Sequence, residues 1–332
     1  MNILILGGGV FLGAATLDAA LARGHALTAF NRGRARSAWP DGVEVLVGDR
    51  ATDLERVRGR RFDAVVDTCG YVPADVRAAC LFVSSISAYA SFEHAPVVET
   101  DALASHAGID PADRDLRFYG AQKAACEAEV TRVFGPRSLI VRPGLIVGPR
   151  DRSGRFSHWP WRAAAGGEML VPDTPLDEPL QFIDVRDLAG WMVHLLEAGA
   201  RGVFNATGPT GGHPCTWAAL IGACSAEAGV RGATEARPVP VGEAFLEARS
   251  VKPWSELPLW LPSHNATHHG HPRVSLARAE AAGLRTRPLG ETVGAILDEP
   301  LPGADDPRRA GKLTRAREAE LIALWRAEPR AA

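Results

Sequence analysis

Short apolar runs alternate with helix-period segments through the first half of the chain: Ile3 to Leu6, Ala26 to Phe30, Val43 to Val47, Ala64 to Asp67, Leu81 to Val83 and Leu139 to Val141. That alternation predicts a parallel sheet with covering helices. Between the first two runs, Leu17 and Leu21 share one helical face and Gly24 stands where a C-terminal cap belongs, which completes a βαβ unit. A further helical pattern starts at Tyr119 and runs to about Val133. One connection is short. Cys69 to Cys80 must carry the chain from the fourth run to the fifth, and a parallel crossover usually takes a dozen residues or more, so either its covering helix is stunted or residues are absent from it.

Past Pro149 the texture changes to Trp159, Pro160 and Trp161, followed by a stretch containing Gly and Pro up to Pro179. Leu180 to Val185 and Gly202 to Ala206 read again as strands. The expected organisation is a nucleotide-binding domain over 1–150 that also receives 180–208, with a smaller substrate-binding region over 151–332. The tail from Asp305 to Ala332 is rich in Arg and Glu around Leu321, Leu324 and Trp325, the pattern of a terminal amphipathic helix docked on the body.

Composition narrows the function. Apolar residues are 46% and charged residues 23% of 332, ordinary for a globular chain able to bury a large core. A formal net charge of −2 gives no general attraction to nucleic acid or anionic membrane. The run Met1 to Leu6 is too short for a signal-peptide core, no apolar stretch reaches membrane-spanning length, and the five cysteines form no CxxC. These features predict a reducing, cytoplasmic setting with no disulfide framework, no metal site and no membrane partner.

The chemistry starts at Gly7-Gly8-Gly9-Val10-Phe11-Leu12-Gly13, which follows the first strand and opens the first helix. Backbone N–H groups and the positive helix end meet there, where a pyrophosphate can sit, as in a Rossmann-type doubly wound α/β fold. Val10 or Leu12 falls where a glycine is usual, so close approach must rest on Gly7, Gly8 and Gly9. After the second strand an acidic residue would normally hold the adenosine ribose of NAD, but Phe30 is followed by Asn31-Arg32-Gly33-Arg34. A guanidinium at Arg32 or Arg34 suits a 2′-phosphate, which tilts the reading to NADP and leaves NAD open. Asp49, after the third strand, is a candidate for the adenine edge.

In Tyr119-Gly-Ala-Gln-Lys123 the phenol and the ammonium lie four residues apart and share one helical face. Only three tyrosines and three lysines (Lys123, Lys252, Lys312) occur, and Lys123 is the only lysine before residue 252 in a chain that otherwise uses arginine. A compact cation beside a phenol stabilises phenolate and brings a pKa that starts near 10 toward neutrality. The bland alternative is an ordinary surface pair. Ser84-Ser85-Ile86-Ser87 follows the fifth strand at the carboxyl edge, where Ser85 can hydrogen-bond a substrate oxygen.

Taken together, the glycine turn, Ser85 with Tyr89, Tyr119 with Lys123, Arg142-Pro143-Gly144 with Gly148-Pro149, Gln181 to Asp187 and Phe204 to Gly208 resemble the extended short-chain dehydrogenase/reductases, the epimerase/dehydratase superfamily. Gly-Gly-Gly-Val-Phe-Leu-Gly with Asn31-Arg32-Gly33 looks most like a branch holding bacterial epimerases or reductases and the chloroplast stem-loop-binding proteins. The resemblance implies an NAD(P)-dependent enzyme. It makes Tyr119 the acid/base, Lys123 the group that lowers its pKa and holds the nicotinamide ribose, and Ser85 the group that orients the reacting oxygen. Cofactor contacts are implied at Gly7, Gly9, Val10, Phe11, Leu12, Gly13, Asn31, Arg32, Asp49, Lys123, Pro143 and Leu145. Where sugar dehydratases carry an Asp-Glu pair after the catalytic Ser/Thr, this chain has Ile86-Ser87, which disfavours dehydration. A homodimer is expected on family grounds alone.

Substrate candidates are Ser87 and, within an aromatic and cationic cluster after Arg150, Arg152 and Arg155, the residues His158, Trp159 and Arg162; packing of the second region explains that cluster equally well. His264, His268, His269 and His271 read as a solvated loop. The expected function is an oxidoreductase or epimerase acting on a sugar-like or small ketone substrate. The rivals are an RNA-binding protein and a cofactor-sensing protein on the same scaffold. Retention of Ser85, Tyr119 and Lys123, with the mild acidity, argues against nucleic acid as the partner.

Overall fold

The computed structural model of the chain describes residues 1–34, 38–212, 214–303 and 305–328. The apolar runs form one seven-stranded sheet from β1 (Asn2–Leu6), β2 (Ala26–Asn31), β3 (Val43–Val47), β4 (Ala64–Asp67), β5 (Leu81–Val83), β6 (Leu139–Pro143) and the strand Gly202–Ala206. Across the sheet the order is Gly202–Ala206, β6, β5, β4, β1, β2, β3, and every neighbouring pair is parallel. The chain therefore winds outward in both directions from between β1 and β4, and at such a switch point a crevice opens beyond the carboxyl ends of the strands.

Side chains of a strand alternate between faces, and here both faces are dry. Ile3 and Ile5 pack against Leu12 and Leu17 of α1 (Phe11–Ala22) and Leu188 and Met192 of the helix Val185–Glu197. Leu4 and Leu6 point the other way, toward Phe30, Leu46 and Leu54. On the β5 and β6 side, Cys126 and Val130 of α2 (Tyr119–Phe134) meet Phe82 and Ile140. Gly24 closes α1 at φ +75, its N–H donating to Leu21 O at 2.8 Å.

The short crossover between β4 and β5 holds only a single 3-10 turn, Pro73–Val76. Val76, fully buried, enters the cluster under α2, so one aliphatic side chain stands where a covering helix would pack.

Two compact units share the chain: Met1–Ile146 with Gln181–Gly212 and Arg273–Thr286, and Val147–Leu180 with His213–Pro272 and Arg287–Ala332. Arg273–Thr286, assigned from sequence to the substrate-binding region, belongs instead to the first unit. Val274 bridges to Val97, and Ala279 and Leu284 join the core of the large sheet.

Inside the second unit, Gly167–Asp173 pairs in parallel with Ala236–Gly242. The helix Arg315–Ala327 buries Leu321 and Ile322, and Trp325 meets Phe245 edge-on at 5.2 Å. Leu324, grouped from sequence with the docking residues, is 38% exposed, because it falls on the outer side of that helix. No helix among the described residues is long and apolar enough to cross a membrane.

Candidate active site

The glycine turn delivers α1 to the end of β1 with little side chain in the way. Gly7 N–H donates to Phe30 O at 3.1 Å, which ties the turn to the end of β2. A Cβ on Gly13 would collide with the Gly7 carbonyl oxygen, so only glycine lets the helix approach this closely. Val10 is extended and supplies no side-chain cap, and no acidic residue occupies the first turn. Phe11 opens the helix at φ +40, a conformation that costs a non-glycine residue on the order of 1 kcal/mol or more and is typical of functional turns.

A cavity of about 520 Å³ opens over this turn. Gly7, Gly9, Val10, Asn31, Arg32 and Asp49 line it, together with Leu6, Phe30, Arg34, Gly48, Arg50, Ala51, Cys69, Tyr71, Asp75 and Arg114. Phe11, Leu12 and Gly13 are taken up by the helix start, and Lys123, Pro143 and Leu145 lie outside this lining. Asp49 Oδ1 accepts from Ala51 N–H at 2.9 Å.

The lining fits a dinucleotide. The first-turn N–H groups of α1 have no side-chain acceptor from the cap, and the amide nitrogen of Asn31 is a buried donor without a partner. Asn31 Oδ1 is engaged by Gly33 N–H at 2.7 Å, which aims the amide.

The wall contributed by the short crossover was not legible in the sequence. Arg50 donates to both oxygens of Asp67, at 2.9 and 2.6 Å, to Cys69 Sγ at 3.1 Å and to the Asp75 carbonyl. Asp67 is fully buried. Arg114 in turn donates to both oxygens of Asp75, each at 3.1 Å. The one available signal was Tyr71, a third of the chain's tyrosines, placed in the short crossover.

Beyond Tyr71 stands the Tyr119 and Lys123 pair, the ring of Tyr71 lying 6.3 Å from that of Tyr119. Tyr119 is the first residue of α2, where the positive end of the helix favours a phenolate. Lys123 follows one turn later, 4% exposed, with its Nζ 5.8 Å from the centre of the Tyr119 ring and 4.7 Å from that of Phe82. Its ammonium donates to Gly70 O and Val83 O, both at 2.8 Å, so one side chain ties α2 to the segments leaving β4 and β5. Burial draws its pKa below the ordinary lysine range, against the pull of the neighbouring Asp67 and Glu127 carboxylates.

Val83 leads two residues on to Ser85, whose Oγ accepts from Ser87 N–H at 3.1 Å and keeps its own proton to donate. The serine turn is held against α2 by a close approach, because a Cβ on Gly120 would run into the Ser87 carbonyl oxygen. Ile86 is buried and Ser87 exposed. Pro143 and Leu145 are buried, with Gly144 N–H between them donating to Ala206 O at 3.0 Å.

Behind this edge lies a sealed polar network. Glu127, one turn after Lys123, takes bonds from Arg142 at 2.9 and 2.6 Å and from Ser84 Oγ at 2.5 Å. Arg142 also donates to Glu99 O at 3.0 Å, and its guanidinium carbon stands 4.7 Å from the centre of the Tyr89 ring. Tyr89 OH donates to Asn205 Oδ1 at 2.7 Å.

Of the substrate candidates in the second unit, Trp159 and Arg162 are buried and His158 is half-buried. Trp159 is fully buried and donates from its indole to Pro258 O at 3.0 Å. His158 meets Trp159 edge-on at 5.0 Å, and burial pulls its imidazole down to about 3. Arg162 is 6% exposed and bound to Glu318 at 2.8 Å. In the histidine-rich segment, read from sequence as solvated, His271 instead packs against Trp254 at 5.1 Å, and burial lowers its imidazole to about 4.

Residues 73–207 match the model of the NAD dependent epimerase/dehydratase family. No curated protein matches the chain. Among solved structures, the chain is similar to the Bordetella bronchiseptica enzyme WbmG in complex with NAD and UDP, at 20% identity and a TM-score of 0.60 over 89% of this chain and 93% of that one. It is likewise similar to UDP-N-acetylglucosamine 4-epimerase from Bacillus cereus, at 17% identity and 0.59 over 89% and 98%. The human epimerase family protein SDR39U1 with NADPH aligns at 19% identity and 0.57 over 90% and 100%. At these identities the likeness establishes a common fold.

Proposed function

We propose that this chain, which over residues 73–207 belongs to the NAD dependent epimerase/dehydratase family, is a nicotinamide-dependent oxidoreductase. Its reaction is hydride transfer at a hydroxyl or carbonyl carbon of a sugar-like or small ketone substrate, as an epimerase or a reductase. The observation that carries this reading is Lys123, a dry ammonium held by two carbonyls one helical turn from Tyr119 and next to a cavity that suits a dinucleotide.

A nicotinamide bound there would supply or accept the hydride. Tyr119, with the helix end and the Lys123 charge lowering the cost of its phenolate, gives or takes the proton on the substrate oxygen. Ser85 donates to that oxygen and orients it. Gly7, Gly9 and Val10 with the first turn of α1 would hold the pyrophosphate, Asn31 the ribose and Asp49 the adenine edge.

NADP is the favoured cofactor. Arg32 and Arg34 line the cavity beyond β2, and no carboxylate stands at the end of that strand to hold a free 2′-hydroxyl. Ile86 is buried and Ser87 cannot serve as an elimination acid or base, which argues against dehydration.

The test is incubation of the purified chain with NADPH or NADH and a panel of ketones and sugar nucleotides. A reductase consumes the nicotinamide absorbance, whereas an epimerase inverts a carbon at constant absorbance. Tyr119→Phe is expected to lower turnover by about a thousandfold while cofactor affinity stays within about twofold. Full activity in that variant would remove the mechanism.

A further inference from the structure

The cavity over the glycine turn contains a carboxylate, which is an awkward neighbour for a dinucleotide. Asp75 is 5% exposed on its side chain, accepts from Tyr71 N–H at 3.3 Å and lines the cavity where two phosphate charges are expected. Its counter-ion is Arg114, which reaches it through a single nitrogen, Nη2, at 3.1 Å to each oxygen, and stays 57% exposed.

The four lining arginines are not equivalent. Arg50 is committed to Asp67 and to the Asp75 carbonyl. Arg32 and Arg34 follow β2, on the ribose side of the glycine turn. Arg114 shares the opposite wall with Tyr71 and Asp75, which follow β4, and the turn itself follows β1 between them. It is thus a cavity-lining guanidinium on the nicotinamide side with donors to spare.

Arg114 is also tied to the catalytic helix. Gln122, the residue before Lys123, donates to Asp110 O at 2.8 Å and Asp113 O at 2.9 Å, which clamps to α2 the segment that ends at Arg114. Five residues after Arg114 the same segment reaches Tyr119.

We propose that Arg114 is a cofactor-binding residue that leaves Asp75 for the pyrophosphate of the dinucleotide, with Asp75 as its resting partner and competitor. The proposal rests on the nicotinamide reading of the cavity. A guanidinium matches phosphate oxygens as well as it matches a carboxylate, and two phosphates outbid one carboxylate by charge. Because the Arg114 segment is clamped to α2, occupancy of the cavity then braces the segment that leads into Tyr119.

Dissociation constants for NADPH and NADH, read from nicotinamide fluorescence on the full chain, test this without reference to turnover. Arg114→Ala is expected to weaken both cofactors alike, by about tenfold, the loss of one charge-assisted phosphate contact. Asp75→Asn is expected to tighten both by about threefold, by removing a competitor and a repulsive charge. Melting temperatures of the variants verify that each is folded.

Arg114→Ala with both constants within twofold of the wild type would overturn the proposal. So would a loss confined to NADPH, which would place the guanidinium on the 2′-phosphate. Weakening by Asp75→Asn as large as that by Arg114→Ala would make the pair a structural brace and also overturn it. Absence of cofactor binding by the wild-type chain would sink the functional reading and this inference together, whereas wild-type binding with an indifferent Arg114→Ala sinks the inference alone.

Discussion

Two buried arginine–glutamate pairs, one in each unit, have nearly the same construction. Arg142 meets Glu127 at 2.6 Å with both side chains 4% exposed, and Arg162 meets Glu318 at 2.8 Å at 6% and 7%. Each arginine spends another nitrogen on a backbone carbonyl, Glu99 O at 3.0 Å in one case and Gly166 O at 2.9 Å in the other. Each glutamate accepts one further bond, from Ser84 Oγ and from Leu170 N–H. Their surroundings differ. The first pair lies one turn beyond Lys123 on the helix that begins at Tyr119, whereas the second fastens the helix Arg315–Ala327 to the helix His158–Ala164 and the strand Gly167–Asp173. Buried charge alone therefore does not mark a reactive centre. What distinguishes the first unit is a cavity lined by the glycine turn and by Asn31, whose amide still awaits a partner. The second unit also has a cavity and a buried unpartnered donor, the Trp161 indole, but that cavity is walled by Pro172, Trp217 and Ile221 and does not include Trp161.

The comparison can be broken most directly by neutralising each glutamate. Glu127→Gln and Glu318→Gln each strand a buried guanidinium, and each is expected to cost about 3 kcal/mol in denaturant unfolding of its own unit. Only Glu127→Gln should also depress turnover, because Lys123 and Tyr119 ride on the same helix. An equal loss of turnover in Glu318→Gln would erase the distinction between the two pairs.

The next effect belongs to the glycine turn, which is built from backbone rather than from buried charge. Gly13→Ala forces a methyl against the Gly7 carbonyl oxygen and is expected to cost about 2 kcal/mol, in the range of overpacked positions. Calorimetry of the variant should show that loss together with weaker cofactor binding, and an unchanged melting temperature would mean that the turn relaxes freely.

The smallest effect is a pH dependence confined to the second unit. Burial, with Lys312, Arg162 and Arg309 nearby, holds the His158 imidazole at about 3 in the folded chain, against roughly 6.5 when unfolded. The unfolded state therefore takes up a proton first, and stability is lost as pH falls through the window from about 6.5 to 3. The loss between pH 7 and 5.5 is expected to be about 1 kcal/mol. His158→Gln should flatten that part of a melting-temperature profile, and a slope that persists in the variant would assign it to other groups.

Much of the first unit was legible from local pattern. The runs that became β1 to β6, the Gly24 terminus of α1 and the helix carrying Tyr119 and Lys123 all follow from periods of two and 3.6, which the backbone sets over a few residues. The crossover wall was not legible. Arg50 and Asp67 are seventeen positions apart, and Arg114 and Asp75 thirty-nine, so neither pair leaves a spacing that marks it. Arg162, Trp159 and His158 carry the residue types of a binding site, but the sequence did not show that Trp159 and Arg162 are buried, with Arg162 bound to Glu318, a partner 156 positions away.

By itself the sequence determined the alternation of strands and helices, a glycine turn that opens the first helix, and a phenol and an ammonium on one helical face, because those features depend only on near neighbours. Only the tertiary structure decided which charges meet. Pairing is a matter of distance and dielectric once strands from different parts of the chain lie side by side, and it is the fold that set Lys123 between Gly70 and Val83 and Arg114 against Asp75.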